Sequence, residues 1–252
     1  MRAVVALLLS LVVLLAAPVS AQEYVVRVTV TERWVEQPPE SAERAIALRQ
    51  ARTPTAIAAY GPFRVLDQSR AALVGVTGSA TPAQFQAMLR DYPALARLEF
   101  IEAPGTDDDS ANLATGRLIR AAGLETHVPA DGSVRSGAVE LFLAGRTRTI
   151  EDGAEFAVHS WLDPNGLEAG DYPADSPEHL TYLRYYRDMG MGEAAAMAFY
   201  DMTNSVPHDG ALWLTAQDMR VWLGEAPEGV VTAKGPEQGP RISYLDFAPL
   251  SF

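Results

Sequence analysis

His127, His159, His179 and His208 are the only imidazoles in a chain of 252 residues that contains no cysteine. Proton transfer by imidazole near neutral pH therefore falls to one of these four, and thiolate nucleophiles, thiolate zinc sites, iron–sulfur clusters and disulfide staples are excluded. His159 follows Phe156-Ala157-Val158 and precedes Ser160, which puts an imidazole at the end of a short apolar strand. Ser136 lies in Gly132-Ser133-Val134-Arg135-Ser136-Gly137-Ala138, directly before an apolar helix. There its hydroxyl lies beside unpaired first-turn N–H groups, a setting that favours anions. Serine is also an ordinary helix cap, which would explain its presence without catalysis. If Ser136 is a nucleophile it needs a base within hydrogen-bond reach and N–H donors for an oxyanion. His159 is the leading base. His127 in a short strand and His179 near a helix start read as surface or packed histidines, and His208 reads as part of a turn.

The elements that must hold these groups alternate. A strand is expected over 71–76, then a helix opened by Thr81-Pro82 and running to Arg90. A strand over 98–101 ends at Pro104-Gly105, and a helix over 110–122 is stopped by Gly123. An extended segment at 126–128, a helix over 137–144 and strands at 147–150 and 155–158 follow. Helices are expected at 178–189 and 193–202, and Thr215 caps a last one to Leu223. This alternation predicts the α/β class, a mainly parallel sheet with repeated strand-turn-helix units and covering helices, whose sites gather where strand ends meet helix starts. The Pro- and Gly-rich acidic stretch 161–177 reads as a surface loop, either disordered or a lid.

With 32 acidic against 20 basic residues and a net charge of −12, the chain lacks the basic surface that nucleic-acid binding requires. Arg2 and the apolar run 3–17 before Pro18-Val19-Ser20-Ala21 read as a signal peptide cleaved after Ala21, which implies a periplasmic or secreted protein. An uncleaved anchor is the other reading; a lipoprotein anchor lacks its cysteine. The expected organisation is a signal peptide at 1–21, an N-terminal strand (23–31) and helix (42–52) within 22–70, a core at 71–224 and a tail at 225–252.

Residues 118–130 (Leu-Ile-Arg-Ala-Ala-Gly-Leu-Glu-Thr-His-Val-Pro-Ala), Ser136-Gly137-Ala138, Leu141-Phe142-Leu143-Ala144-Gly145 and Val158-His159-Ser160 together resemble secreted bacterial relatives of the Clp protease proteolytic subunit, in the Clp/crotonase superfamily. The resemblance spans 71–223 and is strongest from Gly105 to Ser160. It implies a serine peptidase that needs no metal or organic cofactor. Ser136 would be the nucleophile, and His159, 23 residues later, the base. Asp209, 50 residues beyond His159 and ahead of Trp213-Leu214-Thr215, would be the third member, and the N–H groups of Gly105 or Thr106 and of Gly137 would form the oxyanion hole. It further implies peptide or protein substrates and homo-oligomeric assembly, since relatives form rings or trimers.

Two departures favour a different class, a binding or assembly protein that kept the fold and lost the reaction. Thr106 stands where the family has the second glycine of a Pro-Gly-Gly turn, and Asp107-Asp108-Asp109 brings carboxylates near a place where negative charge must develop. Asp209 has a plain reading too, since Pro207-His208-Asp209-Gly210 has turn composition. A crotonase-like acyl-CoA enzyme fits less well, because coenzyme A phosphates would want basic residues.

Overall fold

The computed structural model describes residues 54–225. The expected signal peptide, the 23–31 strand, the 42–52 helix and the tail beyond 225 lie outside the described residues. The strands are β1 (Ala58–Tyr60), β2 (Phe63–Val65), β3 (Arg70–Val74), β4 (Arg97–Ala103), β5 (Glu125–Val128), β6 (Ser133–Arg135), β7 (Thr147–Ile150), β8 (Glu155–Val158) and β9 (Leu212–Thr215). The α-helices are α1 (Thr81–Asp91), α2 (Asp109–Ala122), α3 (Ala138–Leu143), α4 (Pro177–Asp188), α5 (Glu193–Thr203) and α6 (Ala216–Trp222).

One mixed sheet carries all nine strands. Its main path runs β1-β2-β3-β4-β6-β8-β9, with β5 and β7 branching from β4. The centre is parallel (β3 with β4, β4 with β5 and β6, β5 with β7, β6 with β8), while β1, β2 and β9 pair antiparallel at the edges. The expected α/β class with a mainly parallel sheet is what the chain forms. β4 is the fork: its first half pairs with β5 and its last residues, Glu102 and Ala103, pair with β6. Among the described residues, β1 and β2, ahead of residue 71, also belong to this sheet.

Local signals explain the helices. Asp108 accepts the Ala111 N–H (2.9 Å) at the start of α2, which ends at Gly123 in the left-handed conformation, where glycine carries no Cβ penalty. Thr215 and Asp218 form a reciprocal capping box at the start of α6. At α1 the capping residue is Ala80; Thr81 is the first helical residue, and its hydroxyl accepts the Gly78 N–H at 2.8 Å.

Every residue of the short helix α3 is buried, which accounts for its nearly unbroken apolar sequence. Phe142 from α3 packs between Phe100 of β4 (5.9 Å between centroids) and Phe156 of β8 (5.4 Å). This ring contact fixes α3 against the parallel strands, and with it the turn where Ser136 sits.

β6 was missed by sequence periodicity because its three residues, Ser-Val-Arg, carry no apolar alternation. Arg135 is nonetheless fully buried, its guanidinium 2.5 Å from the Glu102 carboxylate on β4 and 2.7 Å from Ser133 Oγ. Ser133 in turn donates to Glu155 on β8 at 3.1 Å. A charged network thus ties β4, β6 and β8 side by side beneath the loops that follow them. Among the described residues no helix is long and apolar enough to cross a membrane.

Candidate active site

Ser136 is the turn between β6 and α3. Its N–H donates to Ala157 O (2.8 Å), prolonging the β6–β8 ladder, and its carbonyl accepts from Val139 N (2.9 Å), opening the helix. The change of direction puts Ser136 at φ 48°, the only non-glycine residue at positive φ among the described residues. Such a conformation costs about 1–3 kcal/mol and persists where surrounding contacts enforce it, often at functional sites. The strand-turn-helix elbow is therefore present in backbone form although the sequence lacks G-x-S-x-G.

The opposing loop after β4 is shaped to this serine. Gly105 has φ 129°, and a Cβ there would lie 2.9 Å from Ser136 Cβ and 3.3 Å from its Oγ, so only glycine lets the two backbones approach. On the other side a Cβ at Gly137 would lie 2.6 Å from Thr106 Cγ2 and 3.0 Å from Asn112 Nδ2.

Buried Asn112 of α2, which sequence reasoning passed over, links the two loops. Its Nδ2 donates to Gly137 O at 2.6 Å, and its Oδ1 lies 3.0 Å from Thr77 Oγ1. Thr77 N–H donates to Gly105 O (3.0 Å) while Asp107 N–H donates to Thr77 O (2.9 Å). This bridge leaves the N–H of Thr106, between them, pointing away from Thr77. The N–H groups of Gly105, Thr106 and Gly137 have no hydrogen-bond acceptor among the described residues, so the loops facing Ser136 supply free donors.

His159 immediately follows β8, the strand that pairs with β6. Its Nδ1 lies 2.8 Å from Ser160 O. A carbonyl oxygen only accepts, so Nδ1 carries the proton and Nε2 is the acceptor, the tautomer a general base requires. Burial holds its pKa below the ordinary 6.5; the Ser160 carbonyl works against that shift, and neighbouring His208 adds to it. The His208 ring meets His159 edge-to-face with centroids 4.6 Å apart, and its own Nδ1 lies 2.9 Å from the same Ser160 O.

Ser136, Gly137, Thr106, His159 and His208 all line one cavity of about 650 Å³. Asp209 is not brought to it. That residue is exposed, in a turn where Gly210 N–H donates to Pro207 O (2.9 Å), and no hydrogen bond or ion pair joins it to His159. The position that an orienting carboxylate would take on His159 belongs to a backbone carbonyl. The acids whose charges raise the His159 pKa are Asp109 and Glu168.

The other histidines are structural. His127 faces Thr149 (2.9 Å) and Glu151 (3.4 Å) across β5 and β7. His179 is buried between Tyr200 Oη (2.7 Å) and Pro173 O (3.0 Å). Stretch 161–177 is folded, and its first four residues line the cavity: Asp163 accepts the N–H groups of Asn165 and Leu167 (each 2.8 Å) and the Tyr172 hydroxyl (2.7 Å), and Trp161 Nε1 donates to Tyr200 Oη at 2.9 Å. Its many polar and turn residues make these local loops, which hydrophobic periodicity does not register.

Glu140, four residues past Ser136 on buried α3, also lines the cavity. It is 8% exposed, and Oε1 accepts the Tyr186 hydroxyl at 2.7 Å. Burial pushes its pKa up from 4.5 to about 7; the Tyr186 hydrogen bond opposes the shift and Asp109 adds to it. Below pH 4.5 the carboxyl is neutral folded or unfolded. Between 4.5 and about 7 only the unfolded chain loses the proton, so stability falls with rising pH until about 3 kcal/mol is gone. Thermal melts of Glu140→Gln should therefore match wild type near pH 4.5 and run more stable above pH 8; parallel pH curves would show that Glu140 ionises as in water.

No family model matches the chain, and no curated protein matches it. Two similar solved structures are both of the 1510-N membrane-bound stomatin-specific protease. A lysine-to-alanine mutant in complex with a substrate peptide is 13% identical, with a TM-score of 0.40 over 61% of this chain and 70% of that one. A serine-to-alanine mutant is 14% identical, with a TM-score of 0.39 over 58% of this chain and 74% of that one.

Proposed function

We propose that this protein is an exported serine hydrolase acting on peptides, with Ser136 as nucleophile and His159 as base. The observation that carries the reading is the left-handed Ser136 turn. It presents the hydroxyl against Gly105 in the same cavity as an imidazole whose Nδ1–H is already committed to a carbonyl. Export rests on the leader-like N-terminus, and the peptide substrate on the resemblance to the Clp proteolytic subunit.

In this mechanism Ser136 Oγ attacks the substrate carbonyl carbon while His159 Nε2 takes its proton, and the same imidazolium then protonates the leaving amine. Water repeats the sequence on the acyl-enzyme. The N–H groups of Gly137 and of Gly105 or Thr106 receive the oxyanion. The Ser160 carbonyl holds the imidazole in its tautomer, a task that needs a hydrogen-bond acceptor and not a negative charge.

A fluorophosphonate should label wild-type protein on Ser136 and leave Ser136→Ala unlabelled. The rate should rise with pH through a midpoint below 6.5, because the lowered His159 pKa keeps the base free through neutrality. Folded protein that takes up no label from pH 5 to 9 would leave the alternative, a non-catalytic binding protein. That reading draws on Asp107, Asp108 and Asp109, all of which line the cavity.

A further inference from the structure

Among the described residues, six carboxylates line the cavity beside Ser136, and no lysine or arginine does. Three of the six are occupied locally: Asp108 caps α2, Asp163 holds its own turn and Glu178 accepts from Ser176 Oγ. Asp107, Asp109 and Glu140 remain. Among the described residues, Asp109 receives only the Tyr182 hydroxyl, at 2.8 Å, through Oδ2. More than nine-tenths of Glu140 is buried; Oε1 accepts the Tyr186 hydroxyl, and the residue's own backbone N–H also bonds the carboxylate, which still lines the cavity. Glu140 also interacts electrostatically with Asp109, so both acids address one region.

The remaining walls are aromatic. Trp161 stacks on Tyr182 with centroids 6.0 Å apart and planes 11° from parallel, and Tyr200 lies 6.2 Å from Tyr182. Carboxylates beside aromatic faces form an environment for an organic cation, whose charge meets the acids while its stem covers the rings. The volume of about 650 Å³ accommodates a long side chain. Such a cation also resolves a conflict in the site. An oxyanion forming beside Asp107 and Asp109 is repelled by them, and a positive charge delivered by the substrate offsets that repulsion at the step where it matters.

We propose that the cavity receives the cationic side chain of a lysine or arginine in the substrate, with its head on Glu140 and Asp109 and its stem along Tyr182 and Trp161. This selectivity rests on the hydrolase reading above.

The test is a series of peptidyl phosphonate esters that differ only in the side chain next to the reactive phosphorus, run at pH 8 alongside a plain fluorophosphonate. Lysine- and arginine-like probes should modify Ser136 at least about tenfold faster than a leucine-like probe, and a glutamate-like probe should be slowest. The basic-to-leucine rate ratio should fall roughly tenfold in Glu140→Gln and in Asp109→Asn. Asp109 is exposed, so its replacement does not endanger the fold, and a ratio within one variant cancels any general loss of reactivity. Comparing the two basic probes distinguishes a lysine from an arginine site. A leucine-like probe as fast as the basic ones, or a ratio unchanged in both variants, while the fluorophosphonate still labels Ser136, overturns the cation site and leaves the hydrolase standing. Failure of every probe, the fluorophosphonate included, removes both.

Discussion

Replacing His159 by alanine should lower kcat/KM by about 10⁴–10⁶, whereas Asp209→Asn should stay within about threefold of wild type. The contrast follows from where each group sits. His159 lines the cavity with Ser136, and its protonated Nδ1 faces Ser160 O at 2.8 Å, which leaves Nε2 as the acceptor that the proposed mechanism uses. Without the imidazole, Ser136 must be deprotonated by water. In a triad built on a carboxylate, removing that carboxylate costs about 10⁴ in kcat because the wrong tautomer becomes available. Here the Ser160 carbonyl enforces the tautomer, and no side-chain substitution can remove it. Steady-state hydrolysis of a basic peptide by the two variants checks this. A loss beyond about 10³ in Asp209→Asn would mean that Asp209 reaches the imidazole during turnover, and the carbonyl-held dyad would have to be abandoned.

Glu102→Gln should destabilise the protein by about 3–5 kcal/mol, because it removes one charged partner of a guanidinium that cannot reach water. Arg135 is fully buried and Glu102 is 3% exposed, with the pair 2.5 Å apart. For a domain of this size each kcal/mol lowers Tm by about 2–4 °C, so a drop of roughly 6–20 °C is expected in thermal melts.

The pair also bears on the site. Glu102 lies three residues before Gly105, and Arg135 immediately precedes Ser136, so the ion pair sets the spacing of the two loops whose backbones meet at Ser136. Fluorophosphonate labelling of the folded fraction should slow as well. Glu102→Leu combined with Arg135→Met should recover much of the stability, since buried pairs replaced by apolar groups of similar volume are often neutral or better. A loss below about 1 kcal/mol in Glu102→Gln would show that water or another group compensates Arg135.

The sequence alone determined the elements whose signals are local. The expected strands at 147–150 and 155–158 coincide with β7 and β8, Gly123 ends α2, and Thr215 caps α6. Alternation, caps and glycine stops act within a few residues, so they can be read without knowing what packs against them. It also nominated Ser136, from its place before an apolar helix, and His159, from its place at a strand end, and the resemblance added their pairing.

Only tertiary structure decided the rest. β6 is tied in place by Arg135, which reaches Glu102 and Ser133, and the fork at β4 depends on which halves of that strand meet β5 and β6. The left-handed turn at Ser136 needs Gly105 opposite it, and the acceptor on His159 is a carbonyl that no residue type announces. These features are made by groups distant in sequence, or by the backbone every residue shares, and side-chain identity read along the chain records neither.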